Sequence, residues 1–556
     1  MDRQTFAGDD STNRIRHHNI WTERLLVVAL LAAGLLVFTI NLGGVPLRDW
    51  DEGTVAQVAR EIWQAPENSN RWLFPTLWEE PYLNKPPLVH DLIALCYRWG
   101  GVNETMARLP SALLMAVSVP LTYGLGKELF LLRQPALFSA LVYLTTLPLV
   151  RHGRLAMLDG AVVCFTVFLM WSVLRSRRDL RWCLGIGISL SLIGLTKGII
   201  ALLLGGIAFG FIAWDTPRLF RSVYFWGGIS LGCLPVLSWY SLQWINYQGA
   251  FVETAVFSQS FSRLWRAVDN NSGPPWYYFL RLLHFLPWLI FALSGLQLAW
   301  KNQIWSWSKL ILVWSGVYFL AITLMSTKLP WYILPLYPAL ALAAGKMLTE
   351  TFRYPRELPY PRDWGILLLF LGGVGLAASI YFGVSEEGNT KLMIITLAVA
   401  LTTAMSGGLV LQRNPQFINI LIWGMYVSLL LLVSSSQWLW ELNEAYPVKP
   451  VAMLIQDQVP ESAPIYTSFD YERPSLNFYA QKQILPATLE QLQYYWEKDP
   501  GTYLLVDPET LQKLSFREES RQHYQAPPHW HLIRHQTSED VVYDGKVTPV
   551  PAPSLK

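Results

Sequence analysis

Long apolar runs recur along this chain, each about the length a helix needs to cross a hydrocarbon core of roughly 30 Å. That repetition decides what the chain can fold into. In lipid every backbone amide and carbonyl needs an internal partner, so such runs become helices. We read about thirteen spans, over 25–42, 108–126, 134–150, 159–174, 182–197, 198–214, 222–242, 276–298, 309–325, 331–348, 364–383, 392–411 and 417–437. Composition agrees: 52% of the 556 residues are hydrophobic and 15% are charged, against roughly 25% charged in a soluble domain. A soluble enzyme is excluded. Net charge is only +3, and no basic tract or aromatic-basic platform points to nucleic acid. Cys96, Cys164, Cys183 and Cys233 lie far apart in apolar segments, with neither metal-ligand spacing nor a disulfide framework.

The loops sort by charge. One set holds Lys127 and Arg133; Arg175, Arg177, Arg178 and Arg181; Arg218 and Arg221; Lys301 and Lys309; Arg353, Arg356 and Arg362. Short basic connections belong in the cytoplasm. So does the N-terminus (1–24), whose Arg14, Arg16 and Arg24 precede a run too long for a cleavable signal. The opposite set is expected outside: the long segment 43–107, the turns at 151–159, Lys197 and Lys328, the loop 243–275, and everything beyond 440. The run 88–99 is too short to span and is expected at the interface. Residues 53–63, with Val55, Val58, Ala59 and Ile62 at helical spacing, predict an amphipathic surface helix.

Beyond residue 440, Asp, Glu, Gln and Pro become more frequent and short β-rich runs appear at 464–469, 483–486, 502–506, 531–535 and 541–543. Asp507-Pro508-Glu509-Thr510 reads as an N-cap and first helical turn after a strand. Residues 441–556 are therefore expected to form a small extracytoplasmic α/β domain, with the membrane domain at 25–440. His529 and His531 share one face of a candidate strand, a spacing compatible with metal but ordinary in a solvated strand.

Polar clusters gather on the outer set of loops. Arg48-Asp49-Trp50-Asp51-Glu52 follows the first span directly, and ionisable groups at a membrane boundary are costly unless they function. The plain alternative is a charged helix-capping loop. Asn84-Lys85-Pro86-Pro87 fixes a lysine before an apolar run, where it could equally snorkel to the interface. Arg151-His152-Gly153-Arg154 with Asp159, Thr196-Lys197-Gly198, and Ser326-Thr327-Lys328-Leu329-Pro330-Trp331-Tyr332 complete the set. Each is weak alone. Together they place acids and cations on one membrane face, as gripping a lipid phosphate while acting on its cargo would require.

In order, Asp51-Glu52, Asn84-Lys85-Pro86-Pro87-Leu88, Arg108-Leu109-Pro110-Ser111-Ala112-Leu113, Arg154 with Asp159, Leu195-Thr196-Lys197-Gly198 and Ser326-Thr327-Lys328-Leu329-Pro330 resemble the polytopic GT-C glycosyltransferases. The branch they resemble includes protein O-mannosyltransferases and the aminoarabinose transferase that modifies lipid A. The resemblance spans about residues 45–345 and implies a GT-C fold. It also implies inverting transfer of a sugar from a polyprenyl-phosphate carrier to a lipid, glycan or protein acceptor on the outer face of the cytoplasmic membrane. It assigns catalytic work to Asp51, with Glu52 beside it, and to Asp159. Lys85, Arg154, Lys328 and Tyr332 are expected at the donor phosphate, with Arg151, His152 and Lys197 as further candidates. Asn84 stands where the lipid A-modifying relatives tend to carry Glu, and Gly53-Thr54 where Thr-Arg usually follows. Both differences count against an aminoarabinose donor and against a metal held through that glutamate.

No Gly-rich phosphate loop follows a strand, so no nucleotide cofactor is expected, and no metal is assigned. For a hydroxyl acceptor Asp51 would act as general base; a phosphate acceptor would need none. The competing readings are a lipid A-type aminopentose transferase with a phosphate acceptor, and a transporter or flippase of polyprenyl-linked sugars. A transporter would place its polar groups near the midplane, commonly between repeated halves; no repeat is apparent. A membrane scaffold leaves the polar clusters unexplained.

Overall fold

The computed structural model describes residues 7–535 apart from 50, 268–270, 354–359, 386–387, 440–447, 500, 515–520 and 527–528. It divides into two units: residues 1–45 with 58–440, and residues 46–57 with 441–556.

The first unit is helical. Among the described residues, eight helices are long and apolar enough to cross a membrane: Ile20–Thr39, Glu104–Leu129, Leu158–Ser176, Ser306–Leu324, Pro330–Arg353, Arg362–Val384, Thr390–Leu411 and Phe417–Ser434. Tyr277–Phe285 and Trp288–Lys301, bent by 110° against each other, make a ninth if counted as one span. Four of the thirteen expected spans fall outside this count, and one of them, 222–242, lies within the 29-residue helix Val223–Phe251. The run at 134–150 is divided into Arg133–Leu144 and Leu147–Gly153, and Trp182–Lys197 and Ile200–Asp215 are shorter apolar helices. Leu88–Gly100 is a 13-residue helix, short of a span as expected. Small residues let some neighbours close tightly: a Cβ at Gly372 would lie 2.9 Å from that of Ala404, and one at Gly407 would lie 2.8 Å from the Gly365 carbonyl.

Ion pairs tie the basic loops together. Glu23 binds Lys127 at 2.9 Å and Arg133 at 2.7 Å, and Glu128 binds Arg175 and Arg178. Asp215 binds Arg177 at 2.9 Å and Lys309 at 3.4 Å, while Arg353 donates to Gln134. Loops read as one set from charge alone thus meet at one end of the unit. The other set also meets itself: Lys85 reaches Gln259, Lys197 reaches Asp159, and the Thr327 amide donates to the Arg263 carbonyl. In the first long loop, β1 (Thr76–Leu77) and β2 (Glu80–Pro81) pair antiparallel. Glu61 anchors this hairpin by accepting from the Thr76 hydroxyl and the Trp78 amide, both at 2.6 Å.

The second unit holds a five-stranded sheet of β3 (Ile465–Thr467), β4 (Leu485–Pro486), β5 (Tyr503–Val506), β6 (Arg521–Ala526) and β7 (Trp530–His535), in the order β4-β3-β5-β7-β6. β3 is parallel to β4 and β5, and β7 is antiparallel to β5 and β6. All four residues of β5 are buried, which suits a strand covered on both faces. Asp507 caps Pro508–Lys513 by accepting from the Glu509 and Thr510 amides at 2.9 Å. β6 was not expected: its residues Arg-Gln-His-Tyr-Gln-Ala carry little β signal, and pairing with β7 supplies what propensity does not. The expected strand at 541–543 lies outside the described residues.

The helix expected over 53–63 begins at Asp51 and runs to Gln64. It is not a surface helix, since Gln57 and Arg60 are buried with Val55, Val58 and Ala59. Amphipathic spacing identifies a helix with two unlike faces; it does not say that the polar face meets water.

Candidate functional site

In the first unit a chain of polar side chains joins elements distant in sequence. Asp159 lies in the first turn of Leu158–Ser176, where the helix dipole favours a carboxylate. Lys197 ends Trp182–Lys197, and Gly198 then turns the backbone at φ 62°, a conformation open to glycine. Lys197 Nζ meets Asp159 Oδ1 at 2.6 Å, with both side chains largely buried, and lies 5.2 Å from the ring centroid of Tyr332.

Tyr332 sits in the 3₁₀ segment Pro330–Leu336, its carbonyl fixed by the Tyr318 hydroxyl at 2.8 Å. Arg263 donates to the Tyr332 hydroxyl at 3.2 Å and to Gln259 Oε1 at 2.9 Å. Lys85 donates to the same Gln259 oxygen at 3.1 Å, and Gln259 Nε2 reaches Asn84 at 3.5 Å. Two cations therefore share one neutral amide oxygen. Like charges held together repel, and an anionic oxygen would satisfy both better than an amide does.

Of the residues expected from sequence, Lys85, Asp159, Lys197 and Tyr332 belong to this chain of contacts. Gln259 and Arg263 were missed by name, although the loop 243–275 that carries them was singled out. An arginine in a polar loop has no local signature of its role.

Arg154 and Lys328 meet main-chain carbonyls. Arg154, expected at the donor phosphate, donates to the carbonyls of Val37 and Ile40, each at 2.6 Å. Arg108 does the same for Leu42 at 2.7 Å and Val45 at 2.8 Å. Both guanidiniums stack on Trp438, 4.6 and 5.1 Å from its centroid, and Arg151 donates to the Trp438 carbonyl at 3.3 Å. The last carbonyls of a helix lack intrahelical partners, so these arginines finish the first span inside the protein. Lys328 serves Ser306–Leu324 in the same way, donating to the carbonyls of Ile322 at 3.2 Å and Thr323 at 2.6 Å. Its main-chain amide donates to the Asn271 carbonyl at 2.9 Å. His152 is buried, its ring centroid 6.5 Å from that of Trp331.

Asp51 and Glu52 belong to the second unit. Glu52 is fully buried, and its carboxylate accepts from the Arg48 amide at 3.0 Å, closing the turn into its own helix. Asp51, the first helical residue, is half-buried. Of the two acids, Asp51 is the one with solvent access. Among the described residues, no group of three or more His, Cys, Asp or Glu side chains could hold a metal.

Comparison with solved structures decides the fold. ArnT from Cupriavidus metallidurans, bound to undecaprenyl phosphate, superposes with a TM-score of 0.73 over 92% of this chain and 98% of that one, at 18% identity. The chain has a GT-C fold like that of ArnT. The likeness in fold extends to the oligosaccharyltransferase AglB from Archaeoglobus fulgidus, with a TM-score of 0.51 over 89% of this chain and 70% of that one, at 10% identity. Residues 84–241 match the family described as dolichyl-phosphate-mannose-protein mannosyltransferase. Among curated relatives, an undecaprenyl phosphate-alpha-4-amino-4-deoxy-L-arabinose arabinosyl transferase from Pseudomonas fluorescens is 28% identical over 65% of this chain and 66% of its own length. One from Pseudomonas aeruginosa is 28% identical over 69% and 71%. The matches thus cover about two thirds of this chain and of those relatives.

Proposed function

We propose that this protein is a GT-C glycosyltransferase that transfers a sugar from a polyprenyl-phosphate carrier to an acceptor on the outer face of the cytoplasmic membrane. The observation that carries the reading is the convergence of Lys85 and Arg263 on Gln259 Oε1. A carrier phosphate entering there would replace a neutral oxygen with charged ones facing both donors. As the sugar–phosphate bond breaks, charge grows on the departing phosphate, and preorganised donors aimed at it lower the barrier. Asp159 and Lys197 form the second polar centre, and Asp51 is assigned the general base for a hydroxyl acceptor. Attack by the acceptor in a single displacement inverts the anomeric centre. The carriers named with ArnT and AglB, undecaprenyl phosphate and a dolichol phosphate, support the donor class.

The relatives' names favour one narrower reading, a 4-amino-4-deoxy-arabinose donor; were its acceptor a phosphate, transfer would need no base. The chain carries Asn84 beside Lys85, where the lipid A-modifying members tend to carry Glu. Mass spectrometry of envelope lipids and proteins with and without this chain separates the two. Loss of a pentose from a lipid selects the narrower reading, and loss of a hexose from a lipid, glycan or protein selects the broader one. An unchanged glycan profile, with carrier-linked sugar translocated into sealed vesicles, would overturn both in favour of transport.

A further inference from the structure

The short segment 46–57, which carries Asp51 and Glu52, is packed within one unit with residues from the far end of the chain. Its contacts are dense and directional. Arg473 Nε and Nη2 donate to Asp49 Oδ2 at 2.7 and 2.6 Å, and the Ser475 amide donates to Asp49 Oδ1 at 3.0 Å. The Ser475 hydroxyl donates to the same oxygen, and the Leu47 amide donates to the Tyr479 hydroxyl at 2.8 Å. Asp49 is 2% exposed and Arg473 6%. A buried charge pair of this kind keeps its place only when its remaining hydrogen bonds are met, and here both carboxylate oxygens of Asp49 have donors.

Next to this pair the backbones nearly touch. A Cβ on Gly53 would lie 2.5 Å from the Ser475 nitrogen and 2.6 Å from the Pro474 carbonyl carbon, so no side chain fits at 53. The turn between them is tied internally: the Asp51 amide donates to the Asp49 carbonyl at 2.8 Å, and the Gly53 amide to the Arg48 carbonyl at 3.0 Å. Asp51 thus stands two residues after one fixed point and two before another.

We infer that Asp49, Arg473 and Ser475 are positioning residues for Asp51, and that the C-terminal domain serves the reaction by holding the acidic turn 49–52 in one geometry. The inference rests on the reading of Asp51 as the reacting carboxylate. A carboxylate on a loose turn samples many positions, and misplacement by about 1 Å can cost on the order of a hundredfold in rate. A clamp that acts only through Asp51 changes turnover and leaves donor affinity unchanged.

The test uses the full-length protein with steady-state transfer and hydrogen–deuterium exchange read together. Arg473→Gln is expected to lower kcat by about a hundredfold with donor KM unchanged, and to raise exchange over 46–57 while β5 and β7 stay protected. Ser475→Ala, which removes one donor and keeps the ion pair, is expected to lower kcat by roughly tenfold, and Arg473→Lys to recover part of the Gln loss. Wild-type kcat in both Arg473→Gln and Ser475→Ala, with Asp51→Asn inactive, overturns the clamp and leaves Asp51 in place. Full activity in Asp51→Asn overturns the Asp51 reading and the inference with it. Exchange rising across β5 and β7 in Ser475→Ala as much as over 46–57 would make the pair a general fold contact and also overturn the inference.

Discussion

Lys197 closes on Asp159 at 2.6 Å, and both side chains are largely withdrawn from solvent. Removing one partner of such a pair strands the other as a buried uncompensated charge. That costs about 3–5 kcal/mol, whereas removing both is often close to neutral. Lys197→Met is therefore expected to lower thermal stability sharply, and Asp159→Asn with Lys197→Met to regain most of it. If the pair is catalytic as well as structural, the double variant folds and does not transfer sugar. A stable double variant with normal turnover would leave the pair a purely architectural role.

Lys85 and Arg263 share Gln259 Oε1, and each charged hydrogen bond to an incoming phosphate is worth about 1.5–3 kcal/mol. Lys85→Ala and Arg263→Ala should each weaken binding of polyprenyl phosphate by roughly 10- to 100-fold. Gln259→Glu is the sharper probe. A carboxylate there satisfies both cations in advance and repels the ligand, so it should weaken binding more than Gln259→Ala does. Titration of the purified protein with polyprenyl phosphate measures all four variants, and equal binding by the Glu and Ala variants would count against a phosphate at this point.

Arg154 serves the end of the first span and is fully buried. Arg154→Met leaves the Val37 and Ile40 carbonyls without their donors, at about 1–3 kcal/mol for each buried group left unsatisfied. The expected outcome is a lowered melting temperature with donor KM unchanged in the protein that remains folded. A raised donor KM at unchanged melting temperature would return Arg154 to the phosphate.

Asp91, in the helix Leu88–Gly100 that follows Lys85, has its pKa raised to about 8 by burial. A carboxyl whose pKa is higher folded than unfolded is protonated preferentially in the native state. Its contribution is complete below the unfolded value of about 3.9 and is lost as pH rises through 8. Stability should therefore decline between about pH 4 and 8 by a component that Asp91→Asn removes. Melting temperatures of the two proteins across that range should diverge progressively toward the alkaline end; parallel curves would show that Asp91 is ionised throughout.

Much of the architecture could be read from local signals. Hydropathy located the long spans, and the basic residues at 127–133, 175–181, 301–309 and 353 separated the loops into two sets that the contacts reproduce. The cap at Asp507 and most strands of the C-terminal unit were legible for the same reason, since caps and β-rich runs are properties of a few adjacent residues. Breaks inside apolar runs, as at 145–146, were not, because a helix interruption leaves hydropathy unchanged.

By itself the sequence determined that this is a polytopic chain whose loops sort into a basic set and a set carrying acids and cations, in a motif order that resembles GT-C enzymes. Only the tertiary structure decided what each ionisable group does. A cation at a helix end can serve a ligand, an acid or bare carbonyls, depending on what packing brings within about 3 Å. Arg154 and Lys328 meet carbonyls, Lys197 meets an acid, and Lys85 meets Arg263 across one amide. Asp49 meets Arg473, 424 residues further along the chain. Hydrogen bonds and buried charges depend on proximity in space, and no local pattern records which distant residues will share it.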